Sequence, residues 1–209
     1  MAQKTNPAAP DPTKMSQTLN EKIDSFIQQA LDLQLSQTGR LPLTIYDPEW
    51  LSECHEPTAE PGQQTAWQPV LQSQTDNACH DMLDRLEHAL GYALHPDIRT
   101  WYSRYWSDPL PATSHWGDLS LLFLWSEKDC ERLRGNLVGH LLTKQKQKQP
   151  ATLFFACTEP DGEKFISVDN QTGEIWLEQP GKKPLMKLAD SLELFLGKLS
   201  PKPIPDMEQ

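Results

Sequence analysis

With 209 residues, 37% of them hydrophobic, the chain can bury a core of its own, and its mean hydropathy of −0.60 is not that of a wholly disordered polymer. A net charge of −10 repels phosphates and anionic lipid heads, which argues against nucleic acid or bare membrane as a partner. No apolar run approaches the roughly 18 residues that cross a bilayer, and MAQKTNPAAPDPTKM lacks the apolar centre of a secretory signal. A cytosolic protein is expected.

Residues 1–15, with Pro7, Pro10 and Pro12, read as a flexible tail. Leu19, Ile23, Phe26, Ile27, Ala30 and Leu31 keep helical spacing, which predicts an amphipathic helix over about 16–37 with Gly39 just beyond it. From Leu41 to Gln74, Pro42, Pro48, Pro57, Pro61 and Pro69 forbid a helix. A loop with short extended pieces is expected, one of them around Trp67-Gln68-Pro69-Val70.

A second helix fits 77–94, with Met82, Leu83, Leu86, Ala89, Leu90 and Ala93 on one face. Pro96 suits the first turn of a short third helix carrying Ile98, Trp101, Tyr102 and Tyr105, with Asp97 near its positive end. Residues 107–115, with two more prolines, read as loop. Leu119–Trp125 reads as a strand covered on both faces. Ser126 and Asp129 form a capping-box pattern with Asp in place of Glu or Gln. The helix that follows buries Leu133, Leu137, Val138 and Leu141, and Lys144, Lys146 and Lys148 complement its carboxyl end. Thr152–Cys157 is a second buried strand. Turns at 160–162, 170–173 and 180–181 then divide a meander through Phe165, Ile166, Val168 and 174–177. Ser191 caps a last helix with Leu192, Phe195, Leu196 and Leu199, and the end from Pro201 to residue 209 is expected to fray. The fold class is α/β (α+β): a single domain over 16–200, with a central mixed sheet flanked by helices.

The acidity is uneven. Residues 1–131 carry 8 Lys+Arg against 19 Asp+Glu, a net −11, whereas residues 132–209 carry 11 against 10, a net +1. A basic partner for the first two-thirds is one consequence, and plain solubility is the other reading of the same charge. Of the tryptophans, Trp67, Trp101, Trp106, Trp116 and Trp125 lie in the acidic part. Rings beside carboxylates can receive Lys and Arg by stacking and by charge, although at least half of these rings are expected in the core.

The chemical motifs are mostly negative. The chain has no G-x-G-x-x-G, Walker loop, G-x-S-x-G or H-E-x-x-H. Cys54-His55 and Cys79-His80 suggest zinc only superficially, because adjacent Cys-His lacks the spacing of structural zinc sites. No metal and no cofactor are expected. With Cys130 and Cys157 the cysteines number four, and a cytosolic setting argues against disulfides. His140 reads as a packed structural histidine. A small hydrolase built on Asp118, His140 or the nearby carboxylates would require these groups to converge.

Gly117-Asp118, Trp125-Ser126-Glu127, Asp129, Asn136-Leu137-Val138-Gly139-His140-Leu141 and Thr152-Leu153-Phe154 form an ordered set. It continues through Ile166-Ser167-Val168 and Thr172-Gly173-Glu174 into the closing helix, and upstream it includes Trp67-Gln68-Pro69 and Ile98–Tyr102. In order and spacing this set resembles the SecY-interacting protein Syd family over about 17–200. Two features depart from the family pattern: a longer proline-bearing amino tail, and Cys130, where an aromatic residue is usual.

The resemblance implies an α/β domain related to the SUKH immunity-protein superfamily. It also implies a non-enzymatic protein that docks on the cytoplasmic face of the SecY translocon and monitors its assembly. The family's acidic concave surface meets basic cytosolic loops of SecY, so association with the inner membrane is peripheral and indirect. Glu87, Asp118, Trp125, Glu127, Asp129 and Glu131 are the candidate partner-binding residues, with the carboxylates expected on one concave face. An immunity-type module that neutralises a basic toxin is the alternative on the same fold.

Overall fold

The computed structural model describes residues 12–55, 60–73, 75, 78–159 and 162–206, with side chains from residue 19 onward. Most of the expected amino tail lies outside these residues. The first helix, α1 (Pro12–Thr38), begins four residues before its predicted start. Leu19, Ile23, Phe26, Ile27 and Ala30 are all buried, as their spacing predicts.

The proline-rich stretch after α1 holds short extended pieces. Strands β1 (Leu43–Ile45) and β2 (Gln64–Ala66) pair antiparallel, and β3 (Val70–Leu71) pairs with β4 (Tyr105–Trp106). Between β3 and β4 lie α2 (Ala78–Leu90) and α3 (Pro96–Arg104). α2 stops four residues short of its predicted end because Gly91 takes a left-handed conformation (φ 75°) and its N–H returns to the Glu87 carbonyl.

The main sheet has seven strands in the order β10-β9-β8-β7-β6-β5-β11. These are β5 (Leu110–Ser114), β6 (Gly117–Leu121), β7 (Thr152–Thr158), β8 (Phe165–Asp169), β9 (Ile175–Glu178), β10 (Met186–Ala189) and β11 (Ser200–Pro201). Every pairing is antiparallel, so the class is α+β but the sheet is not mixed as expected. Successive strands are joined by tight turns or by a returning helix, and neither requires a parallel crossover.

β5 also corrects the reading of 107–115 as loop. Pro111 is accommodated because it joins the chain after β11 through its carbonyl, which accepts from the Lys202 N–H, a bond that needs no N–H of its own. Nor does the carboxyl end fray from Pro201 to residue 206. Ile204 is 5% exposed, its N–H reaches Gln34, and Asp206 binds Arg40 at 2.5 Å and the Leu43 N–H at 3.0 Å.

α4 (Glu127–Lys146) returns the chain from β6 to β7, and α5 (Leu192–Leu196) follows β10. α2 packs on α4, α1 on α3 and α5, and both α3 and α4 touch β7. The core centres on Trp101, stacked on Phe123 at 4.6 Å and edge-on to Phe155 at 5.5 Å. The Trp101 indole donates to the Leu122 carbonyl and the Tyr102 hydroxyl to the Phe154 carbonyl, so both rings are buried without orphaned polar atoms. The β8–β9 turn supports the start of α3. Asn170 accepts from the His95 N–H and donates to the Ala93 carbonyl, while Gly173 (φ 75°) lies against the His95 ring. A Cβ at Gly173 would come within 2.6 Å of that ring, so only glycine fits there.

Two expectations about side chains fail. Cys79 and Cys130 form a disulfide between α2 and α4, with Cα atoms 5.6 Å apart. Both cysteines lie in the core where the two helices face, a juxtaposition that reasoning from compartment alone misses. Lys144 is not a solvated helix-end cation. It is 4% exposed and ion-paired with Glu178, which is fully buried and also accepts from the Ser167 hydroxyl.

Candidate partner-binding site

A hollow of about 620 Å³ opens where four pieces of chain meet. The β1–β2 connection contributes Asp47, Trp50 and His55, the segment after β4 contributes Asp108, and the extended run beyond β6 contributes Phe123 and Trp125. The first turns of α4 contribute Asp129 and Arg132.

Local sequence accounts for this arrangement. Beyond Leu122, whose N–H still bonds the Phe155 carbonyl of β7, the chain runs beside Trp106, with the Ser107 N–H bonded to the Leu124 carbonyl. Asp129 then stops the extended run by accepting from the N–H groups of Trp125 and Ser126, which is the carboxylate half of the predicted capping box. The Ser126 side chain, buried at the helix start, faces the Asp129 N–H across the same box, though outside hydrogen-bond alignment. Trp125 is held from both ends: its indole donates to the Trp50 carbonyl at 3.1 Å, and its own carbonyl accepts from Ser52. Its ring meets Trp67 edge-on at 5.7 Å and His55 at 5.6 Å.

The electrostatics of the hollow are unequal. Asp129 is answered by Arg132 at 3.1 Å, and Arg132 also lies over the Trp50 ring at 5.1 Å. Asp108 has no ion-pair or hydrogen-bond partner for its carboxylate among the described residues. Burial, reinforced by the charge of Asp129, pushes its pKa up to about 6. His55 is 8% exposed, and neither ring nitrogen is hydrogen-bonded among the described residues. Its neighbour Cys54 is a free, buried thiol pushed up to about 12, chiefly by desolvation.

The carboxylates picked from the sequence do not share this hollow. Of the five, only Asp129 lines it, alongside Trp125. Glu127 lines a neighbouring hollow of about 390 Å³ with Leu51, Ser52 and Trp106. Asp118 lines a third, about 170 Å³, with Trp116 and Phe195, and binds Lys202 at 2.5 Å, which holds its carboxyl below the usual range. Glu87 is committed to the α2–α3 connection, accepting from the Leu94 N–H at 2.7 Å and ion-paired with Arg99 at 2.9 Å. Glu131 is exposed and bridges Arg85 and Arg134, which together lower its pKa.

Sequence reasoning missed Asp47, Trp50 and Asp108 as site residues. It considered His55 only as a zinc ligand. These residues come from proline-broken segments with no periodicity to mark a face. Among the described residues no three metal-ligating side chains gather, and Cys79 is committed to its disulfide. His140 bonds the Thr152 hydroxyl at 3.2 Å and sits edge-on to Phe154 and Phe165, and desolvation lowers its pKa. No helix among the described residues is long and apolar enough to cross a membrane.

Comparison with known proteins gives a consistent answer. Residues 20–201 match the family model described as Syd protein (SUKH-2). The chain is 39% identical over 191 residues to Protein Syd of Pseudoalteromonas atlantica, covering 90% of this chain and 98% of that one. It is 39% identical over 195 residues to Protein Syd of Colwellia psychrerythraea, covering 91% and 96%. Against Protein Syd of Alteromonas mediterranea it is 38% identical over 188 residues, covering 90% and 98%. The chain belongs to the Syd family.

Proposed function

We propose that the protein is a non-enzymatic docking factor that binds the cytoplasmic face of the SecY translocon and monitors its assembly. It would reside in the cytoplasm and reach the inner membrane only through SecY. The observation that carries this reading is the 620 Å³ hollow, with Asp47, Asp108 and Asp129 among aromatic walls on a chain of net charge −10. Cytoplasmic loops of membrane proteins are enriched in Lys and Arg, so the charges are complementary. Trp125, Glu127 and Asp129 stand at the docking face, with Glu131 beside them on α4. Glu87 and Asp118 do not line this hollow and are assigned structural work, Glu87 at the α2–α3 connection and Asp118 with Lys202.

Charge complementarity of this kind sets orientation and on-rate more than final affinity. At physiological ionic strength it acts over roughly 8 Å, so added salt should slow association while buried contacts persist. The test is binding to SecY-containing nanodiscs at low and high salt, for the parent and for Glu127→Lys combined with Glu131→Lys. We expect the parent's on-rate to fall with salt and the variant to bind more slowly at low salt. Its fold should stay within about 1 kcal/mol of the parent, as for exposed positions. Equal binding of parent and variant at both salts would overturn the assignment of this face. Binding to a basic toxin with none to SecY would favour the immunity-type alternative.

A further inference from the structure

We propose that the hollow between the β1–β2 connection and α4 is an anchor pocket for one arginine side chain of a basic partner segment, with Asp108 as its carboxylate. This deepens the docking reading and rests on it for the source of the arginine.

Three observations point to an incoming cation. The Asp108 carboxylate is half-buried and unanswered, although the pocket already contains a guanidinium. That guanidinium, on Arg132, is spent on Asp129 and on the Trp50 ring. Independently, His55 lines the same wall, more than nine-tenths buried, with both ring nitrogens unmet among the described residues. A polar group entering the hollow can meet a ring whose nitrogens have no hydrogen bond among the described residues. The walls, finally, are aromatic: Trp125, Phe123, Tyr102 and Phe154 line the same hollow. A planar, weakly hydrated guanidinium can stack on such rings and bond a carboxylate in one pose, which a strongly hydrated ammonium does less well. Arg132 over Trp50 beside Asp129 is an intramolecular instance of the same chemistry at the rim.

Occupancy would be linked to pH through Asp108. The groups facing it are Asp129 and Arg132 of α4, Asp47, Cys54 and His55 of the β1–β2 connection, and Tyr102 of α3. A cation that holds Asp108 ionised displaces its proton, so the Asp108 titration moves to lower pH when the pocket fills.

The test uses Nα-acetyl-arginine amide, with the neutral citrulline and the lysine counterparts, against the full chain. The indole N–H resonance of Trp125 is followed by NMR. We expect the arginine probe to shift the Trp125 and His55 signals, citrulline to have no effect, and lysine to bind more weakly. In the free protein the Trp125 signal should titrate near pH 6, and saturating arginine should lower that midpoint. Asp108→Asn should remove the titration and weaken the probe about tenfold, as loss of a charge-assisted contact does. Asp108→Glu, which keeps the charge but moves it, should retain partial binding. Equal binding of citrulline, unchanged binding to Asp108→Asn, or lysine binding as tight as arginine would overturn the proposal. Failure of the docking reading looks different: the probe then behaves as expected while SecY nanodiscs are not bound. If SecY is bound but neither Asp108→Asn nor the probe affects it, the anchor fails and docking stands.

Discussion

The two ends of α4 each meet a carboxylate withdrawn from solvent, one fully and one in part, and the two are treated in opposite ways. At the carboxyl end, Glu178 is fully buried but is met by Lys144 and by the Ser167 hydroxyl. At the amino end, Asp108 is half-buried and has no partner among the described residues. A buried charge that the chain itself answers belongs to the architecture. One left unanswered at the wall of a hollow is tolerated at a cost to stability, which is expected where a ligand supplies the missing partner.

The sharpest way to break this contrast is to remove Lys144. Lys144→Met keeps the volume of the stem but leaves Glu178 without its cation. Truncating one member of a buried pair costs about 3–5 kcal/mol, more than the pair itself contributes. Chemical denaturation should show a loss of that order. Adding Glu178→Gln should recover much of it, because no buried charge then remains. A loss below about 1 kcal/mol for Lys144→Met would mean that Glu178 is not buried as a charge at all.

The Cys79–Cys130 disulfide fastens the hollow end of α4 to α2 and leaves the Lys144 end to packing and the ion pair. Closing a loop of 51 residues restricts the unfolded chain, and such bridges contribute about 2–4 kcal/mol. The oxidised protein should therefore melt above the Cys79→Ala, Cys130→Ala variant. Hydrogen exchange in that variant should rise first around residues 127–133, near the hollow, and last around Lys144. Uniform loosening along α4 would show that the two ends are not independently secured.

Much of this architecture was legible in the sequence, and the exceptions share a cause. The five helices of the described residues, the meander and the Ser126–Asp129 signal follow from periodicity and capping chemistry, which are local. Lys144 was misread because its helical position predicts solvent, and only the sheet, through β9, brings Glu178 beneath it. β5 was misread because Pro111 is forbidden only where an N–H is required, and that depends on which strands flank it. The hollow was the least legible part. Trp125 and Asp129 carry sequence signals, but Asp47, Trp50, His55 and Asp108 meet them only through loop geometry that leaves no period. The sequence-picked carboxylates Glu87 and Asp118 show the converse. Charge composition marks them as acidic, while their partners Arg99 and Lys202 come from elsewhere in the fold.

The smallest of these effects is also the one that separates Asp108 from Glu178 by sign. Its folded pKa, about 6, lies above the ordinary aspartate value of about 3.9, so the folded state binds this proton more tightly than the unfolded chain does. The ionised carboxylate therefore weighs against folding at neutral pH. That penalty is absent below the unfolded pKa, grows as pH rises from about 4, and is complete once pH passes the folded value near 6. A difference of about two units corresponds to roughly 3 kcal/mol, and partial exposure of the group reduces this to about 1–2 kcal/mol. Asp108→Asn should thus be stabilising by that amount at pH 7.5 and neutral at pH 4, whereas Glu178→Gln alone strands Lys144 and should be destabilising at pH 7.5. Denaturation curves for both variants at the two pH values are sufficient. If Asp108→Asn were destabilising at pH 7.5, the carboxylate would have a partner in the folded chain, and the difference between the two ends of α4 would be one of degree only.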